Sequence, residues 1–157
     1  MLSWLRNSTT ARTIITAWLV VGVLDIGSAI VIWLVRGIGV KRGLQGISAA
    51  LLGNQSFEGG FGTAALGLAI HFLIALVVVT FFYVLSTKFS PLTEYAFVSG
   101  IAYGIAVYLV MYWSVLPTVF PTFRHRLGND SLALAIHICL IGLPTALIVR
   151  RYSRSHE

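Results

Sequence analysis

Charge is what this chain has least of. Asp, Glu, Lys and Arg make up 10% of its 157 residues, against about 25% in ordinary soluble domains, which excludes a soluble globular domain. Acid is scarcer still: five acidic residues stand against eleven basic ones, for a formal net charge of +6. The basic residues lie singly or in pairs beside apolar runs, a distribution that suits anionic lipid headgroups and excludes a nucleic-acid partner. One cysteine, Cys139, cannot form an intrachain disulfide, and inside an apolar run it reads as a small packing residue rather than a metal ligand. Catalytic signatures are absent too. Gly59, Gly60 and Gly62 lack the Lys and Ser/Thr of a phosphate-binding loop, and no HExxH or nucleophile motif occurs, so the chain reads as no enzyme.

What is present is apolar surface. Hydrophobic residues account for 57% of the chain, the mean hydropathy is +0.89, and four runs reach the roughly 20 residues that cross a hydrocarbon core of about 30 Å. They are continuous rather than alternating, which excludes a transmembrane β-barrel. The expected fold is an all-α integral membrane protein, a single domain over residues 1–157 with spans at about 13–35, 63–85, 96–116 and 131–149. Residues 1–12 read as a short interfacial lead-in with Trp4, Arg6 and Arg12. The first run has the small residues of a signal-peptide cleavage site, Gly27, Ser28 and Ala29, but its core is longer than a usual signal h-region and it is retained as a span.

Between the first two spans, RGIGVKRGLQGISAALLGNQSFEGGF is the one long connection. Leu44, Ile47, Leu51 and Leu52 recur at helical spacing, which predicts a short interfacial or re-entrant helix at about 44–52. Glu58 stands where it would favour the start of the second span through the helix dipole. The third span is expected to end before Pro117 and carries Gly100 and Gly104 at GxxxG spacing; with Gly22 these are the helix-packing positions. Four crossings put both termini on one side. Arg6, Arg12, Lys88, Arg150, Arg151 and Arg154 share that side against Arg36, Lys41, Arg42, Arg124 and Arg126 on the other, which, with the arginines abutting the last span, assigns the termini to the cytoplasm.

Spans two and four both contain Leu-x-Leu-Ala-Ile-His, ending at His71 and His137. Span one and span three echo each other more faintly, Gly22, Asp25 and Ser28 against Gly100, Tyr103 and Gly104, so the chain reads as two tandem helical hairpins in parallel repeat. Ionisable groups inside a span cost several kcal/mol and need a reason. At a rise of about 1.5 Å per residue, His71 and His137 lie about 12 and 9 Å inside their spans, with Asp25 and Tyr108 at comparable depth from the same face. The expected arrangement is an intramembrane polar layer of Asp25, His71, Tyr108 and His137. His125 and His156 sit in basic loops and read as solvated.

The segments HFLIALVVVTFFYVLS, GIAYGIAVYLVMYWSVLP and HICLIGLPTALIVRR resemble the YagU-like bacterial inner-membrane proteins, over the last three spans. The resemblance implies a four-span inner-membrane protein with His71 and His137 as the matching positions; residues 36–61 do not match. Three functions suit the layer. The first is a non-catalytic accessory subunit, packing against other membrane subunits or itself within the lipid bilayer. The second is a haem b electron carrier with His71 and His137 as axial ligands. The third is a small proton-coupled or solute transporter using Asp25 and His71.

Overall fold

The computed structural model describes residues 2–154. Four of its helices are long and apolar enough to cross a membrane, Thr9–Val35, Gly60–Lys88, Ala96–Val119 and Leu127–Ser153, here spans 1 to 4. No strand occurs among the described residues. The chain is therefore the all-α, multi-pass membrane protein that its composition implied. Large apolar side chains such as Leu73, Val77, Phe81 and Leu109 stay exposed on the outside of the bundle, as a protein solvated by lipid requires.

Two boundaries differ from expectation. Residues 2–12 form no separate lead-in: one helix runs from Leu2 to Val35. Span 3 continues through Pro117 to Val119, because the turn before the proline, Val110–Val115, is π-helical. Proline has no N–H and its ring collides with the carbonyl four residues back. Widening the preceding turn to i→i+5 bonding displaces that carbonyl, here Trp113, and lets the helix go on. Span 4 repeats the device, with a π turn at His137–Gly142 two residues before Pro144. His156 lies outside the described residues.

The spans close into an incomplete ring. Span 1 packs on spans 2 and 4, and span 4 packs on span 3. Gly100 and Gly104 carry the last contact. A Cβ on Gly100 would lie 2.9 Å from Leu143 Cα and one on Gly104 2.6 Å from Ile138 Cα, so the two backbones nearly touch. Gly22 makes similar room for the Phe72 ring, whose nearest atom is 2.5 Å from its own notional Cβ. All three expected packing positions are thus used within the chain.

Spans 2 and 3 meet mainly at the end nearer the termini, where Tyr103 Oη donates to the Val78 carbonyl at 2.6 Å and its ring packs on Phe82 at 4.9 Å. That end is filled by Ala17, Val21, Val79, Val107 and Ile141 and, farther along, by Phe82, Ala96, Ala146 and Val149. At the other end the two spans part. In an exact tandem repeat of hairpins the 2–3 seam would match the closed 1–4 seam; the chain departs from that symmetry where the cavity described below begins.

The long connection contains the expected helix, four residues longer at its start (Val40–Leu52) and followed by a 3-10 turn, Gly53–Phe57. It does not merely cap the bundle. It crosses span 2 at Gly67, whose missing side chain admits the Leu44 carbonyl. Buried polar groups pin it there: Gln45 Nε2 donates to the Gly60 carbonyl (3.0 Å) and Thr63 Oγ1 (3.2 Å), Ser56 donates to the Gln45 carbonyl (2.6 Å), and the Ser48 and Ser56 hydroxyls touch. The set is satisfied internally, as burial demands. Span 2 starts behind Gly59 with no side chain capping it, so Glu58 makes no cap hydrogen bond.

Candidate functional site

Where spans 2 and 3 part, a cavity of about 380 Å³ opens. Its floor is the core at Val21, Val107 and Ile141, and it extends away from the termini to Trp33 and Phe120. The connecting helix contributes one face, Gly43, Gly46, Ile47 and Ala50, at helical i, i+3, i+4, i+7 spacing. Both π turns border it, through Met111 and Val115 from one and His137 and Ile141 from the other. The lining is apolar apart from three ionisable side chains, Asp25, His71 and His137.

His71 is held by its far nitrogen. Nε2 lies 3.0 Å from the Gly22 carbonyl, which can only accept, so Nε2 carries a hydrogen. The other nitrogen, Nδ1, faces Asp25 Oδ2 at 3.9 Å. A bare Nδ1 opposite an ionised carboxylate would set two acceptors against each other. A proton held by either the carboxyl or the imidazole would remove that opposition, so the pair is a place where one proton can sit.

His137 is buried and donates from Nδ1 to the Ala133 carbonyl at 2.8 Å, one turn back in its own span. Its ring meets the edges of Tyr108 and Tyr112 at 5.8 and 5.7 Å, and those two tyrosines stack at 4.9 Å. The four expected layer residues thus gather as two neighbouring groups. Asp25 and His71 contact each other; Tyr108 backs His137 and does not line the cavity; and His137 shares the cavity wall with Asp25.

Asp25, Trp33 and His137 also border a second, more polar cavity of about 310 Å³ towards the loops. Arg36 Nη2 donates there to Asn129 Oδ1 at 3.0 Å, and Arg124 donates to the Pro121 and Phe123 carbonyls at 3.0 and 2.9 Å. His125, expected to be solvated, stacks on Trp113 at 4.3 Å and pairs with Asp130 at 3.1 Å. The second Asp130 oxygen, Oδ1, is buried with no hydrogen-bond partner among the described residues. Sequence reading missed this vestibule. Its one signal was the spacing of His125 and Asp130, which is ambiguous in a loop. Trp33 and Met111 were missed for a different reason: in an apolar span, a cavity-lining residue looks like a lipid-facing one.

No cluster of three or more His, Cys, Asp or Glu side chains suited to a metal ion occurs among the described residues. Axial ligation of a haem by His71 and His137 needs a ring nitrogen from each turned towards one iron. Here His71 presents one nitrogen to Gly22 and the other to a carboxylate. No family model matches the chain, and no curated protein or solved structure is similar to it.

Proposed function

We propose that this chain is a bacterial inner-membrane carrier, with both termini in the cytoplasm, that moves a small and largely apolar solute in a proton-coupled cycle. The observation that carries the reading is the Asp25–His71 pair, 3.9 Å apart on the wall of a cavity of about 380 Å³. That volume is typical of small-molecule sites, and an ionisable pair inside spans is a mark of substrate and proton pathways. The bundle is packed shut towards the termini and hollow towards the opposite face, the shape of one state of an alternating-access cycle. Arg150 and Arg151, directly after the last apolar stretch, support the cytoplasmic side for the termini. The YagU-like pattern rests on His71 and His137, both on this wall, and supports the inner-membrane location.

Purified protein reconstituted into liposomes with an internal pH indicator tests the reading. With 2-phenylethanol, phenylacetate or 2-phenylethylammonium supplied on one side, an imposed pH gradient should collapse faster through the wild type than through empty liposomes for at least one of the three, and Asp25→Asn should slow that collapse about tenfold or more, as loss of a required proton site does. Equal rates for both, together with a stoichiometric co-purifying chain, would shift the assignment to an accessory subunit. Such a subunit would have to dock on lipid-facing surface, since Gly22, Gly100 and Gly104 are spent inside the bundle.

A further inference from the structure

We propose that the solute is a primary organic ammonium ion, bound in competition with the proton of the Asp25–His71 pair; this identification of the substrate rests on the carrier reading above. The argument begins with donors and acceptors. Asp25 makes no side-chain hydrogen bond among the described residues, and its ion-pair partner is His71 Nδ1 at 3.9 Å. With Nε2 committed to Gly22 and the His137 Nδ1 committed to Ala133, the nitrogens left over, His71 Nδ1 and His137 Nε2, are acceptors in the neutral rings. The apolar cavity therefore ends in three acceptors, and the Trp33 indole N–H is the one donor among its other side chains.

An –NH₃⁺ group supplies three donors and one positive charge. A gap of 3.9 Å is too wide for a direct hydrogen bond, yet it fits a third atom placed about 2.8 Å from each side, the length of a charge-assisted bond. The rest of the cavity, from Ile74 and Met111 to Phe120, would take an apolar or aromatic body. The arginines do not oppose this. Arg36 and Arg124 border only the outer vestibule, where Asn129 and main-chain carbonyls engage them.

Competition with the proton follows from charge. Asp25 can balance one cation, either protonated His71 or the ammonium. The other titratable or charged groups lining the cavities that Asp25 borders are His137 and Asp130 from span 4, Tyr112 from span 3, Arg124 from the loop before span 4 and Arg36 just past the end of span 1, while the connecting helix contributes only Gly43, Gly46, Ile47 and Ala50. Binding one ammonium releases one proton, and the exchange leaves the site's charge unchanged. Acid must therefore weaken binding.

Calorimetric titration of the detergent-solubilised full chain with 2-phenylethylammonium tests this, with 2-phenylethanol as the uncharged counterpart. The amine should bind about tenfold or more tightly than the alcohol, and its affinity should fall with decreasing pH by up to about tenfold per unit, one proton for one cation. Asp25→Asn should abolish amine binding, Asp25→Glu should retain it and so report an intact fold, and His71→Gln should bind with a flattened pH profile. Equal affinity for amine and alcohol, or undiminished binding by Asp25→Asn, overturns the proposal. Asp25-dependent proton movement in liposomes without amine binding overturns it while sparing the carrier reading. Amine binding without such movement upholds the ammonium site and removes the carrier reading instead.

Discussion

The carbonyl of Gly22 accepts a hydrogen bond from His71 Nε2 at 3.0 Å, so a main-chain atom of span 1 sets which way the imidazole of span 2 faces. The bond turns Nδ1 towards Asp25, three residues further along the same helix as its acceptor. Span 1 thus supplies both the anchor and the charge, and span 2 needs only the ring. Trp18 reinforces the register one turn earlier, donating from Nε1 to the Phe72 carbonyl at 2.7 Å.

Gly22 is therefore expected to tolerate no side chain. In Gly22→Val the new methyl groups collide with the Phe72 ring, 2.5 Å from even a bare Cβ, and the overpacking should cost about 1–3 kcal/mol. Thermal unfolding in detergent should show the loss. Gly27→Ala, where nothing lies within 4 Å of the added carbon, should unfold within a degree or two of the wild type or slightly higher. Equal melting of the two variants would contradict the packing described.

Tyr103 ties the two spans that otherwise part. Tyr103→Phe removes its bond to the Val78 carbonyl and should lower stability by about 0.5–1.5 kcal/mol. The ring contact with Phe82 survives, so the effect should stay within that range. A larger loss would mean that the hydroxyl also holds the closed end of the bundle together, and would appear as a broadened unfolding transition.

The spans were legible because continuous apolar runs of membrane length leave few alternatives, and Asp25, His71 and His137 stood out because charge is expensive in that setting. The pairing of Asp25 with His71 was legible only as shared depth; its geometry depends on the Gly22 carbonyl, a main-chain atom that sequence does not display. Tyr108 lies in the interior against His137, but that it stands behind the cavity wall was not legible, since depth arithmetic fixes height along a helix and not the direction of the side chain. The cavity was invisible for a related reason. It arises from a seam that fails to close and from two widened turns, and a proline in an apolar run reads in sequence as an end (Pro117) or as one more residue of the span (Pro144).

Access to the cavity should be one-sided. Ile47 lines it from the connecting helix, whereas Cys139 is exposed on the outside of span 4. In a Cys139→Ser background, Ile47→Cys in intact cells should react with a membrane-impermeant maleimide added outside, because the cavity faces away from the termini. Labelling only after the cytoplasmic face is exposed would reverse the assigned orientation while leaving the fold intact.

Pro144 offers the sharpest separation of cavity shape from stability. Its ring would strike the Leu140 carbonyl in a regular helix, and the π turn at His137–Gly142 relieves that collision. In Pro144→Ala an N–H returns and the turn is free to tighten to ordinary α-helical bonding. Tightening rotates His137 relative to everything after Gly142 by about 100°, the angle one residue subtends at 3.6 residues per turn. His137 and Ile141 could then no longer line the cavity together as they do now. Proton movement in liposomes should accordingly drop while the melting temperature holds or rises, since the substitution removes a helix breaker. A variant that conducts like the wild type at equal or higher stability would show that the widened turn is only a way of housing a proline. A variant that loses both would show that the turn is needed for span 4 to reach Gly100 and Gly104.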